Sequence, residues 1–170
     1  MNHTRGIEGI ARLTATVVLL DEGRRSIGAL TRTMSITPTP ETAAEIAAMA
    51  VPVVQENYGL TLDYGVASLK QLDGIIDDLR RDQRFEALQP LLFSMGCYVG
   101  EVLVRHAGGR WRGTEELGMG LVASSPIAIE MPDGRGCNPV GRVYKRFQKG
   151  REDGLASFYQ AMTGESPAAP

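Results

Sequence analysis

Residues 84–107, RFEALQPLLFSMGCYVGEVLVRHA, decide the architecture of this chain. Wound at roughly 100° per residue, the stretch places Leu88, Leu91, Leu92, Met95, Val99, Val102 and Leu103 on one side. Phe93, Gly96, Gly100 and Val104 occupy the adjoining side. Only a narrow strip is polar: Ser94, Glu101 and Arg105, with Tyr98 beside it. A helix that is apolar around most of its circumference belongs at the centre of a fold, because it has no broad face suited to water. Gly96 and Gly100 share a side and allow a neighbour to approach at backbone distance. His106 falls in the middle of the apolar side and reads as a packing residue. Pro90 leaves two starts open, one near residue 84 and one near residue 90 behind a short turn.

Upstream, Ser35 to Pro40 (SITPTP) reads as an extended connector, since two prolines exclude a helix there. A helix over about 40–57 follows, with Ile46, Ala50, Val53 and Val54 inward and a kink at Pro52. Leu60, Leu62 and Tyr64 alternate with polar residues and suggest a short strand. Val66, Leu69, Leu72, Ile75, Ile76 and Leu79 then form the apolar stripe of a helix over about 66–81. Its aspartates, Asp73, Asp77 and Asp78, read as a solvated face. Residues 1–35 are ambiguous: Leu13, Ala15, Val17 and Leu19 alternate as in a strand, Ile7, Ile10, Leu13 and Val17 also fit a helix, and after a turn at Asp21-Glu22-Gly23 Ile27, Leu30 and Met34 follow at helix-like spacing.

Downstream of Gly108-Gly109, the segments at Trp111, Met119–Ala123 and Ile127–Met131 read as three short strands. Asn138-Pro139 caps a helix that carries Val140, Val143, Tyr144 and Phe147 and ends at Gly150. Leu155, Phe158, Tyr159 and Met162 repeat the spacing in a last helix that ends at Gly164. The expected fold class is α+β: a helical N-terminal half whose central buried helix packs on a small antiparallel sheet, closed by two C-terminal helices. The expected domains are an N-terminal arm over 1–36, one domain over 37–164 and a disordered tail over 165–170.

The chain has 170 residues, 43% of them apolar, with 18 basic and 20 acidic side chains for a net charge of -2. That composition supports a packed core rather than disorder. No uninterrupted apolar run approaches about 18 residues, so no membrane span is expected. Two cysteines cannot staple a secreted mini-protein, and Cys97 and Cys137 read as free thiols in a reducing cytoplasm. Arg outnumbers Lys by 15 to 3, a usage associated with GC-rich bacteria. Residues 36–104 hold 4 basic and 10 acidic side chains, and residues 105–151 hold 9 and 4. This split reads either as complementarity within one fold or as a basic surface for an acidic partner. A pI near 5.7 argues against dedicated nucleic-acid binding.

Catalytic chemistry has few candidates. No metal-ligand spacing occurs, and no metal or other cofactor is expected. Cys97 and His106 are nine residues apart on one helix, which puts them on opposite faces, so they cannot form a nucleophile pair. No Gly-x-Ser-x-Gly elbow is present, and the glycine-rich run 108–113 lacks the Lys-Ser/Thr of a P-loop. The polar strip of the central helix is left as a candidate site. Glu101 and Arg105 form an i,i+4 pair that is a scaffold pair, a solvated strip or part of a ligand cleft. The cluster Arg142, Lys145, Arg146, Lys149 and Arg151 lies on the polar side of its helix, as a solvated face or a partner-binding patch.

The run Gly96-Cys97-Tyr98-Val99-Gly100-Glu101-Val102-Leu103, followed by Gly108-Gly109-Arg110-Trp111, resembles a bacterial domain family of unknown function. Pro139, Val143, Lys145, Arg146, Gly150, Phe158 and Tyr159 fit that family's later Pro…Val-x-Lys-Arg…Gly…Phe-Tyr segment. Leu62-Asp63-Tyr64 and Ser68-Leu69 fit its start, so the resemblance spans about 60–164. It implies a small α+β fold in a cytoplasmic bacterial protein and brings no activity. It also groups Tyr98, Glu101, Trp111, Lys145 and Arg146 as candidate site residues, to which Arg105 is added from the strip. The expected function is a non-catalytic protein-interaction module, of inhibitor or immunity type as one possibility, with another protein as partner or a second copy through the N-terminal arm. The alternative is a small-molecule binder or enzyme with a cleft lined by the Glu101 strip.

Overall fold

The computed structural model describes residues 13–14, 17–20, 27–30, 35–121 and 123–165. The elements in chain order are β1 (Leu13–Thr14), β2 (Val17–Leu20), β3 (Ile27–Leu30), β4 (Ser35–Ile36), α1 (Ala43–Tyr58), α2 (Ser68–Asp82) and α3 (Phe85–Ala107). They are followed by β5 (Arg110–Gly113), β6 (Ile127–Glu130), β7 (Gly136–Cys137), α4 (Pro139–Lys149), a 3-10 turn at Arg151–Asp153 and α5 (Leu155–Thr163). The chain is α+β, with β5, β6 and β7 forming an antiparallel sheet in that order. Trp111 lies opposite Ile129, and Ile129 opposite Cys137.

Helix α3 is the centre. Leu88, Leu92, Phe93, Met95, Val99, Val102 and Leu103 are all buried, against α1, α4 and the sheet. Its glycines set how close those neighbours come. A Cβ on Gly96 would sit 2.5 Å from the Val140 Cα of α4. A Cβ on Gly100 would overlap the Trp111 ring, 2.2 Å away. By length and composition α3 is apolar enough to cross a bilayer, a property that a count of uninterrupted apolar residues misses. Its most apolar window is 72% buried inside the fold, so packing against other elements accounts for its composition.

Several elements depart from expectation. Pro90 does not split α3: it lies in the second turn, where its missing N–H frees only one carbonyl. Residues 60–64 form no strand, although Leu62 is buried, because Tyr64 turns the backbone into the left-handed region at φ 61. The described residues of 119–123 form no strand, with Met119 N–H donating to the Thr114 carbonyl and Ala123 N–H to that of Met119. Strand β7 is two residues long, too short to show alternation. Within the first 35 residues, Ile27–Leu30 pairs antiparallel with Val17–Leu20, so these two segments are strands and the helix-like spacing of Ile27 and Leu30 does not hold. Residues 1–12, 15–16, 21–26 and 31–34 of the predicted arm, with the expected turn at Asp21-Glu22-Gly23, and 166–170 of the predicted tail lie outside the described residues.

Helix α4 begins as expected, with the Asn138 side chain accepting from Gly141 N–H at 2.8 Å and Pro139 at the first turn. Helix α5 has no cap of its own, since Gly154 offers no side chain. Its first N–H groups are instead met by Asp73 of α2: Leu155 N–H lies 3.0 Å and Ala156 N–H 3.4 Å from Asp73 Oδ2.

Candidate functional site

The polar strip of α3 is covered from Ser94 to Glu101, and Arg105 at its end is exposed. Ser94 is buried and donates to the Leu91 carbonyl of its own helix, 2.8 Å away. Glu101 is 6% exposed. Its Oε1 accepts from the Trp111 indole N–H at 2.9 Å, and Arg105 Nε lies 3.4 Å from its Oε2. Strand β5 brings Trp111 back over α3 immediately after the Gly108 turn, and Gly100 leaves the space for its ring.

Tyr98, fully buried, ties the strip to the segment between α1 and α2. Ser68 Oγ donates to the Gly65 carbonyl at 2.6 Å, which uses its single proton. The Tyr98 hydroxyl therefore donates to Ser68 Oγ at 2.8 Å, and it accepts from Tyr64 N–H at 2.6 Å. The two tyrosine rings stack with centroids 4.5 Å apart. Arg105 covers the other face of Tyr64, its guanidinium carbon 3.6 Å from the ring centroid. His106 Nε2 lies 3.0 Å from the Tyr64 carbonyl oxygen. Burial raises the phenol pKa of both tyrosines, while Arg105 pulls that of Tyr64 back.

His106 is not a core residue, as its place on the helical wheel implied. It is exposed, whereas Val104 and Ala107 of the same turn pack against the core.

The basic helix α4 divides. Lys145 is exposed, whereas the Arg146 side chain is 2% exposed. This corrects the reading of Arg146 as part of an exposed basic side, whether a solvated face or a partner patch. Its Nε donates to Asp73 Oδ1 at 2.7 Å, and its Nη2 to Asp77 Oδ1 at 2.8 Å and to the Asp73 carbonyl at 2.9 Å. Arg151 Nε reaches Asp77 Oδ2 at 3.0 Å. Burial pushes the Asp77 carboxyl up, but the hydrogen bonds from Arg146 and Arg151 outweigh it and leave the group below the usual carboxylate range. Arg142 pairs with Asp153 at 2.7 Å. The acidic face of α2 is thus no simple solvated face, since part of it lies against α4 and α5.

Both thiols are free and buried. Burial raises the Cys97 thiol far above its ordinary value, and that of Cys137 to about 12. Neither is a thiolate at neutral pH, so neither is poised for nucleophilic chemistry. Among the described residues, no group of three His, Cys, Asp or Glu is placed to hold a metal ion.

The structure brings Tyr98, Glu101, Arg105 and Trp111 together, with Lys145 and Arg146 on a separate helix. Sequence reasoning missed Tyr64 and Ser68 as their partners, and Asp73 and Asp77 as those of Arg146. The aspartates had a signal, since two carboxylates at i and i+4 share a side of α2. No family model, curated protein or solved structure matches the chain.

Proposed function

We propose that this protein is a non-catalytic interaction module that grips another protein through the loop between β5 and β6. One observation carries this reading: Leu121, near the tip of that loop, is fully exposed. The loop runs for thirteen residues, 114–126, and its described residues form neither strand nor helix. Connections of that length in a compact domain are uncommon and tend to be functional. Leu117 and Met119 fold back over Gly136, with the Met119 sulfur 2.8 Å from where a Cβ there would lie. That packing supports a loop braced on β7, with Leu121 left pointing into solvent.

The internal partners of Glu101, Trp111 and Arg105, favour this reading over a cleft that uses the Glu101 strip. The free, buried thiols favour a reducing cytoplasm, and the Arg-rich composition favours a bacterial source. The Gly-x-Tyr-x-Gly-Glu-Val resemblance is compatible with this role but adds no activity. Self-association through the N-terminal strands is a second mode of partnership, read out by the mass of the chain in solution.

The test compares wild type with Leu121→Glu. A partner retained by wild type from an extract of the source organism should be identified and then titrated as a purified protein. Leu121→Glu should weaken that binding at least tenfold, since burying a charge in place of an apolar anchor is unfavourable. Equal affinity of the two forms would remove the loop from the interface.

A further inference from the structure

The end of α2 and the turn that follows α4 border a shallow surface depression of about 370 Å³ lined by Asp77, Arg80, Arg81 and Arg151. Among the described residues, Asp77 is the one carboxylate that lines it, and both its oxygens are engaged. Buried Arg146 fixes Oδ1, and Oδ2 fixes the Nε edge of Arg151. Arg81 is held through Nη1 by Asp78 at 3.1 Å. Arg80 Nη2 leans on the Gln148 carbonyl at 3.4 Å, and its other terminal nitrogen lies against Gly150. A Cβ on Gly150 would come within 2.8 Å of Arg80 Nη1, and the φ of 109 at this position also requires glycine. Each guanidinium touches one partner and offers its remaining N–H groups, and the side chains of Arg81 and Arg151 are largely exposed. Arg80 has no carboxylate partner among the described residues.

We propose that this depression binds a compact multivalent phosphate, such as pyrophosphate or the phosphate end of a small metabolite. Planar guanidinium forks match pairs of phosphate oxygens, and three of them converge on this depression. The local charge favours a compact anion over a nucleic-acid backbone. Asp78, Glu152 and Asp153 flank the arginines in sequence, and the chain carries a net charge of -2, so an extended polyanion meets repulsion beyond the depression. The site is independent of the Leu121 loop, and neither proposal needs the other.

Isothermal titration at constant ionic strength tests it, with pyrophosphate, inorganic phosphate, sulfate and a short single-stranded DNA as probes. Wild type should bind pyrophosphate saturably, at one site, and at least about tenfold more tightly than phosphate or sulfate. Arg80→Gln and Arg151→Gln should each weaken it about tenfold, the loss expected for one charge-assisted hydrogen bond. Arg84→Gln is the control. It removes the same charge from an exposed side chain outside the depression and should change affinity less than about twofold. Arg80→Lys keeps the charge but loses the fork, and should fall nearer to Arg80→Gln than to wild type. Circular dichroism must show each variant folded. Absence of saturable binding, an equal loss in Arg84→Gln, or tighter binding of the DNA would overturn the proposal.

Discussion

Two buried charges hold this molecule together in different ways. Arg146 joins α4 to α2 through two carboxylates and a backbone carbonyl, and those carboxylates in turn hold Arg151 and the start of α5. Glu101 is matched by a neutral indole ten residues away and by Arg105 one turn along, whose side chain is 46% exposed. The first arrangement is a tertiary lock, with partners about seventy residues apart in sequence. The second is largely local, and water shares in its charge balance. A buried charge is costly to strip of partners, so the lock should be the more fragile of the two to mutation.

Arg146→Met tests the lock and carries the largest expected effect. It leaves two carboxylates facing each other with little water, and should lower unfolding stability by about 3–5 kcal/mol in a urea titration. A loss below about 1 kcal/mol would show that the carboxylates find other partners, and the comparison would fail. At the local cluster, Glu101→Leu should cost about 1–3 kcal/mol, because it strands the Trp111 N–H. Glu101→Gln keeps an oxygen for the indole and should cost less than Glu101→Leu. A double-mutant cycle of Glu101 with Arg105 should return under about 1 kcal/mol, given the exposure of Arg105. A larger coupling would make the two regions alike. Tyr98→Phe should cost about 1–2 kcal/mol through the lost bonds to Ser68 and Tyr64.

Acid separates the regions further. The Asp77 carboxyl is depressed in the folded state. Its contribution is therefore fully present above the unfolded-state value near 3.9 and is lost as pH falls through the lower folded-state value. Melting temperature should begin to drop below about pH 4, and Asp77→Asn should flatten that drop. An unchanged acid profile in Asp77→Asn would exclude Asp77 as its source. The smallest effect on stability belongs to Leu121→Glu, within about 0.5 kcal/mol of wild type, as expected for a side chain that touches little.

The central helix and the two C-terminal helices were legible because their apolar residues recur at helical spacing over long stretches, and because Asn138, Gly150 and Gly164 mark ends. The polar strip was visible as Ser94, Tyr98, Glu101 and Arg105, but its burial was not. Periodicity says which residues share a side of one helix and is silent on what lies against that side. Asp73 and Asp77 looked solvated for that reason, since their partner Arg146 arrives about seventy residues later. Tyr64 carried no sign of its backbone conformation, because a left-handed turn is advertised by glycine or asparagine and not by a large aromatic residue. Residues 60–64 and 119–123 have strand-like composition, yet tertiary contacts and turns claim them instead.

The cap of α5 has a consequence for how the chain is made. Asp73 leaves the ribosome more than eighty residues ahead of Leu155, the first residue it caps. During synthesis α2 can form while its carboxylate still waits, and the closing helix lacks an initiator until it reaches the body already built. Folding should therefore finish at the C-terminus, and a nascent chain whose exposed part ends before residue 155 should hold its first four helices while the surface of α2 that α5 covers stays open to solvent.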